Sequence, residues 1–80
     1  MSSLELAVKI LSSNLQIDRD QFQEDTEILG NFPEFNSLTI VGVVGAIEEE
    51  LDCVVEDDEI GAHIFMTVKD LAEFIESKTD

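Results

Sequence analysis

The stretch Asn36–Leu51, NSLTIVGVVGAIEEEL, decides the fold because it predicts the best amphipathic helix of the chain. Its apolar residues recur at the three- and four-residue spacing of a helix with one buried face. Ser37 stands near its start, where serine is a favoured cap residue. We therefore expect a helix from about Ser37 to Leu51, and its core face consists of Ile40, Val43, Val44, Ile47 and Leu51.

A second set of residues lies on another face of this helix. Leu38, Val41 and Gly45 recur at helical spacing and continue into Glu48 and Glu49. The helix is therefore apolar over more of its circumference than one buried stripe requires. Two interpretations are open: deep burial within a bundle, or an exposed contact surface with apolar residues beside acids.

Two glycines, Gly42 and Gly45, lie inside the same helix. Each is expected to cost roughly 1 kcal/mol relative to alanine. Three interpretations are open: the helix simply tolerates this cost, the glycines allow close packing against another helix, or they flatten a docking face.

Helix-start patterns predict two further helices. A first helix begins with Ser2 as its cap and runs to about Leu15. A last helix begins with Thr67 as its cap and runs to about Ser77. Between them, Glu56–Ile60 predicts a short helix of one or two turns, which Gly61 interrupts.

The stretch Thr26–Phe35 has no sustained period and contains a glycine and a proline, which predicts a long loop between the first and second helices. Its apolar residues Ile28, Leu29, Phe32 and Phe35 are expected to pin the loop to the core. The predicted fold is an all-α, small four-helix bundle of three main helices and one short helix. Residues 1–80 are expected to form a single domain.

The chain is very acidic: four basic residues against nineteen acidic ones give a formal net charge of −15 over 80 residues. Such a charge opposes compaction and disfavours nucleic acid and anionic membranes as partners, but it favours partners with basic patches. From Asp20 to Val68 there is no Lys or Arg, while this segment holds thirteen of the nineteen acids. A charge run is often only a solvated face. The central placement around Ser37 favours a docking surface.

Cysteine usage and hydropathy indicate where the protein resides. A single cysteine, Cys53, excludes an internal disulfide and fits a reducing compartment. The first fifteen residues lack a signal-peptide pattern, and no apolar stretch approaches the roughly 20 residues of a membrane span. We expect a cytoplasmic monomer, in which Cys53 is a small buried hydrophobic residue.

Ser37 lacks the surroundings of a hydrolytic nucleophile. There is no G-x-S-x-G motif, and the single histidine, His63, has no evident orienting partner. His63 is expected to lie at the surface or in a loop. The acidic run Glu56–Glu59 does not match a calcium-binding loop, since a loop counted from Asp52 places Asp57 where glycine is required. We expect no metal site and no catalytic residue, although Ser37 could still be a modification site or simply a helix cap.

The motif Asn36-Ser37-Leu38, between an acidic loop and the run Glu48-Glu49-Glu50, resembles acyl carrier proteins, in which Asp-Ser-Leu opens a helix that ends in a run of Glu. The resemblance extends from Leu4 to Ile75. It implies that Ser37 carries a phosphopantetheine arm, moved from coenzyme A by a phosphopantetheinyl transferase, whose thiol holds acyl groups as thioesters. Asn36 departs from the usual Asp, whose carboxylate helps the transferase and its metal ion to engage.

The resemblance also implies a carrier without a catalytic centre that serves fatty-acid, lipid or polyketide biosynthesis. Its partners would be the transferase and acyl-transferring, condensing and other synthase enzymes with basic patches. It favours exposure of the second helix, where the predicted docking residues are Asn36, Leu38, Val41, Glu48 and Glu49. The alternative is an unmodified acidic interaction module that binds a basic partner through this helix.

Overall fold

A computed structural model describes residues 2–33 and 35–79 of the chain. It contains three α-helices: α1 (Ser3–Leu15), α2 (Ser37–Leu51) and α3 (Val68–Ser77). Within the described residues there is no strand, only an isolated antiparallel bridge between Glu27 and Thr67. The all-helical class and the limits of the three main helices are confirmed.

The predicted short fourth helix is a single 3-10 turn, Asp57–Glu59, and a second 3-10 helix follows at Ala62–Phe65. A third, Arg19–Gln21, lies after α1. Four consecutive acids repel one another, and aspartate is a poor helix former, so the run Glu56–Glu59 does not extend into an α-helix. The described fold is thus three α-helices with short 3-10 segments, and the four-helix count is not reproduced.

Side-chain caps explain where α1 and α3 begin. The Ser2 hydroxyl accepts the Glu5 N–H at 3.1 Å, and the Glu5 carboxylate accepts the Ser2 N–H at 3.1 Å. The hydrogen bond from the Ser2 N–H, followed by the influence of the Ser2 side chain, holds the pKa of the Glu5 carboxyl below its usual value. In α3 the Thr67 hydroxyl accepts the Asp70 N–H at 3.1 Å. Both predicted caps are therefore confirmed.

The core lies where α1 packs against α3 and α2. Of the predicted core face of α2, Val43, Val44 and Ile47 are buried, while Ile40 and Leu51 are half-buried against them. The largest fully buried side chains come from all three helices, the loop and the 3-10 helix before α3: Phe65, Leu11, Ile28, Ile47, Leu71, Ile75, Val43 and Val68.

The loop between α1 and α2 is held to the segment before α3 by backbone hydrogen bonds. The Ile28 N–H donates to the Met66 carbonyl at 3.0 Å, and the Leu29 N–H donates to the Phe65 carbonyl at 3.2 Å. Ile28 is fully buried as predicted, but Leu29 is 37% exposed, so its prediction as a core anchor is wrong. Leu29 lies in a turn, where its side chain is directed to solvent instead.

Two aromatic pairs fix the rest of this loop. The ring centroids of Phe35 and Phe65 lie 5.2 Å apart, and those of Phe22 and Phe32 lie 5.4 Å apart. Phe32 and Phe35 pack against the core as predicted. Because Phe35 immediately precedes Asn36, its contact with the buried Phe65 ring sets the position at which α2 begins.

The two glycines of α2 have different surroundings. A Cβ atom at Gly42 would lie 2.5 Å from the Asn14 Oδ1 atom of α1, whose amide donates to the Ile10 carbonyl at 2.9 Å. A Cβ atom at Gly45 would meet no described atom within 4 Å. Close packing therefore explains Gly42, while Gly45 is exposed on the surface.

We expect Gly45→Ala to raise the free energy of unfolding by roughly 1 kcal/mol, because alanine restricts the unfolded chain and meets nothing in the folded one. Gly42→Ala is the matched control: it makes the same chemical change, but the Asn14 side chain must move. Urea unfolding of both variants should show a clearly smaller gain, or a loss, for Gly42→Ala. Equal gains would contradict the close contact between α1 and α2.

Candidate functional site

Ser37 is the first residue of α2, and its side chain is exposed. The cap is formed by Asn36, whose Oδ1 atom accepts the Leu38 N–H at 2.9 Å and the Thr39 N–H at 3.3 Å. In return, the Thr39 hydroxyl accepts the Asn36 N–H at 2.7 Å. The interpretation of Ser37 as merely a helix cap is therefore wrong, because Asn36 has the extended backbone of a cap residue and Ser37 is already helical.

The start of α2 has the electrostatics of an anion site. The helix dipole favours negative charge at a helix N-terminus. The first turn of α2, all of it described, contains no acidic residue. A phosphodiester on the Ser37 hydroxyl would therefore meet a favourable local potential in an otherwise strongly acidic chain.

An exposed strip runs along α2 from Ser37 towards its last turn. Leu38 is 83% exposed and Val41 is 70% exposed, and Gly45 and Glu49 are exposed on the same side. Deep burial of this second face, one of the two interpretations above, is therefore wrong. We call Leu38, Val41, Gly45 and Glu49 the α2 strip; it spans roughly 17 Å along the helix axis.

Glu48 differs from its neighbour Glu49. It is half-buried, and its Oε2 atom accepts the Val55 N–H at 2.9 Å. The predicted docking set is thus divided: Asn36 caps the helix, Leu38, Val41 and Glu49 face solvent, and Glu48 is hydrogen-bonded within the chain. Helical spacing alone could not reveal this bond, because Val55 lies beyond the end of α2.

A groove of about 320 Å³ lies between α2 and the segment that follows it. Ser37 stands one turn before the first lining residues, on the same side of the helix. The groove wall is formed by Ile40, Val41, Val44, Gly45, Glu48, Val55, Asp57 and Ile60. A wider open groove of about 750 Å³ lies elsewhere, and its lining includes Leu4, Val8 and Lys69 but no residue of α2.

Two ion pairs tie basic residues to the fold. The Lys9 Nζ atom lies 2.9 Å from the Glu50 carboxylate, and Lys78 pairs with Glu59. The hydrogen bond from Lys78 lowers the pKa of Glu59, and the same bond raises the pKa of Lys78. This second pair therefore stabilises the fold across the neutral range and is lost when acid protonates Glu59 or alkali deprotonates Lys78.

Cys53 and His63, the other residues considered in the sequence analysis, do not line the groove beside Ser37. Cys53 is half-buried against the core rather than fully buried, and His63 is exposed as predicted. Within residues 2–33 and 35–79, no three His, Cys, Asp or Glu side chains converge in a way that could hold a metal ion. In the same ranges, no helix combines the length and the apolar character needed to span a bilayer.

Comparison with known proteins gives two findings. No family model matches the chain. Among solved structures, the chain is similar to the holo acyl carrier protein from Nitrosomonas europaea, determined in solution by NMR. The two are 39% identical, with a TM-score of 0.85, and the match covers 98% of this chain and 96% of the other. Sequence and fold therefore agree over nearly the whole length of both chains.

Proposed function

The chain belongs to the acyl carrier protein family, and on this basis we propose that it carries acyl groups on a phosphopantetheine arm attached to Ser37. The observation that carries the proposal is the exposed Ser37 at the start of α2, next to a cap made by Asn36 and Thr39. The similar Nitrosomonas protein is a holo form, which supports a prosthetic group here too.

The residues at the start of α2 suit this modification. The Ser37 hydroxyl is open to a phosphopantetheinyl transferase, which would join it to the arm of coenzyme A through a phosphodiester. The dipole of α2 stabilises the negative charge of that phosphodiester. Once attached, the arm supplies a terminal thiol for acyl thioesters, and the protein itself contributes no catalytic group.

The groove beside Ser37 suits the apolar part of a cargo. Five of its lining residues carry aliphatic side chains: Ile40, Val41, Val44, Val55 and Ile60. Burial of a methylene group stabilises by about 0.8 kcal/mol. An acyl chain lying in this groove would therefore be shielded from water, and each buried methylene would add to its binding free energy. We propose acyl chains of fatty-acid, lipid or polyketide biosynthesis as the cargo.

Partner enzymes are proposed to dock on the α2 strip. A partner must reach the arm, so it must approach Ser37, and Leu38 is the exposed apolar residue next to it. Exposed apolar side chains beside a carboxylate suit a partner with Lys or Arg around a shallow apolar patch. The transferase and the acyl-transferring and condensing enzymes are the partners expected to use this surface.

The proposed function is tested by intact mass after coexpression with a broad-specificity phosphopantetheinyl transferase. A mass gain of one phosphopantetheine group is expected. A chain that stays unmodified while a known carrier is fully converted would favour the alternative, an unmodified acidic interaction module.

Asn36→Asp is expected to speed modification by a transferase of primary metabolism. Aspartate keeps the cap of α2 and adds the carboxylate that the family usually presents to the transferase. A charge-assisted hydrogen bond is worth about 1.5–3 kcal/mol, which corresponds to roughly tenfold or more in rate. Asn36→Ser, which also caps well but stays neutral, is the control. Equal initial rates for all three proteins would show that the missing carboxylate does not limit modification.

Glu49→Lys is expected to slow association with a cognate synthase or transferase by about tenfold at low salt, and the difference should shrink as salt is added. Glu49 is exposed on the α2 strip, so its loss should leave the helical content unchanged. Glu73→Lys, an equal charge change at an exposed position of α3, is the control. Stopped-flow rates that fall equally for both variants would indicate an effect of net charge rather than a local docking surface.

A further inference from the structure

The segment after α2, residues 53–60, forms one wall of the groove beside Ser37. Its side chains Val55 and Ile60 face α2 residues such as Val44 across the groove. At the start of this segment the Cys53 N–H donates to the Glu48 carbonyl of α2 at 3.1 Å, and beyond it the backbone bonds are local: the Glu59 N–H donates to the Glu56 carbonyl at 2.9 Å. These local turns shape the middle of the segment but do not fasten it to the helices.

Two charged side chains from outside the segment form polar contacts with it. The Glu48 carboxylate of α2 accepts the Val55 N–H at 2.9 Å, and Lys78, which follows α3, pairs with Glu59. The first of these ties lies in the groove itself, since Glu48 and Val55 both line it. A hydrogen bond to a charged acceptor in a partly buried place is stronger than a neutral one.

Glu48 and Glu49 therefore differ in their surroundings although they are adjacent and chemically identical. Glu49 is exposed on the α2 strip and can meet a partner, whereas the Glu48 carboxylate is turned towards Val55. The side chain of Val55 is buried, so a shift of its backbone would also move a core residue. The Glu48 bond thus joins α2 directly to the opposite wall of the groove.

We propose that Glu48 is a positioning residue: its carboxylate fastens segment 53–60 to α2 and thereby sets the width of the groove, and with it the acyl chains that the groove accepts. The last step rests on the proposed function, while the fastening itself does not. Without the bond, the segment is held at its start by the Cys53 N–H bond to the Glu48 carbonyl, farther on by Lys78, and by its side chains that pack on the core, and the groove widens between these points.

The first experiment measures amide hydrogen exchange of the unloaded protein in Glu48→Ala, Glu48→Gln and Glu49→Ala. Glu48→Ala should speed exchange of the Val55 N–H by about tenfold or more, because its acceptor is gone. Glu48→Gln keeps a side-chain oxygen and should restore most of the protection, and Glu49→Ala should match the wild type. An unchanged Val55 rate in Glu48→Ala would overturn the fastening role.

The second experiment loads the same proteins with acyl groups of increasing length and measures the melting temperature of each. In the wild type the stabilisation should stop growing at a certain chain length, and Glu48→Ala should move that limit to longer chains while Glu48→Gln keeps it. An identical limit in all variants would overturn the role in groove width. If no variant can be loaded, the proposed function fails, yet the exchange rates still decide whether Glu48 fastens the segment.

Discussion

Ser37→Ala should remain without a prosthetic group after prolonged incubation with coenzyme A and a phosphopantetheinyl transferase, whereas the wild type is converted completely. The reason is that the phosphodiester needs the Ser37 hydroxyl, and no other serine stands at the start of α2. Helical content should be unchanged, because the cap is made by Asn36 and Thr39 and alanine is an excellent helix former.

The matched control for this variant is Ser13→Ala, which removes an exposed hydroxyl from α1. It should accept the arm as fast as the wild type when followed by intact mass. Modification that persists in Ser37→Ala would move the attachment site elsewhere and overturn the assignment. A loss of helical content in Ser37→Ala would show instead that the hydroxyl also supports the fold.

The second large effect expected is a rise in melting temperature when salt or divalent cations are added to the protein in dilute buffer. Nineteen acids face four bases, and two of those bases, Lys9 and Lys78, are engaged in the ion pairs. The remaining acids repel one another, and screening relieves that repulsion. A stabilisation of ~1 kcal/mol would raise the midpoint by about 4–8 °C for a domain of this size.

Scanning calorimetry across a sodium chloride and a magnesium series would measure this rise. The double variant Asp57→Asn with Asp58→Asn is a useful comparison, because it removes two charges from the run Glu56–Glu59 without touching the Glu59–Lys78 pair. The double variant should have a higher melting temperature than the wild type at low salt, and that temperature should rise less when salt is added. A melting temperature that is flat across both series would mean that repulsion does not limit stability.

The helices could be predicted from sequence because local chemistry fixes them. Both kinds of helix signal depend on residues three or four positions apart: the caps at Ser2 and Thr67, and the apolar period of α2. The cap of α2 lies one residue before the predicted Ser37, at Asn36, because asparagine and serine cap equally well and only the backbone conformation distinguishes them. Similarly, Ile28 and Leu29 are adjacent and both apolar, so the sequence does not reveal which of the two side chains faces the core.

The groove wall could not be predicted because it depends on geometry beyond a helix end. α2 ends at Leu51, and the positive φ of 50° at its cap residue Asp52 turns the chain back along the helix. That turn brings the Val55 N–H to Glu48, seven residues earlier. No periodic pattern encodes such a contact. Helical spacing therefore groups Glu48 with the exposed residues of α2 but does not show that its carboxylate is half-buried and hydrogen-bonded inside the chain.

The cap of α2 has a mechanical consequence for a protein that delivers cargo. On the proposed function, a partner that draws the thiol of the arm into its own active site would pull on the Ser37 side chain. The cap bonds run between Asn36 and Thr39 and from Leu38 to Asn36, and none of them uses the Ser37 hydroxyl. The proposed arm could thus rotate about the Cα–Cβ and Cβ–Oγ bonds of Ser37 without loosening the end of the helix. Such a rotation would turn the attached acyl group towards successive enzymes while the backbone of α2 keeps its position.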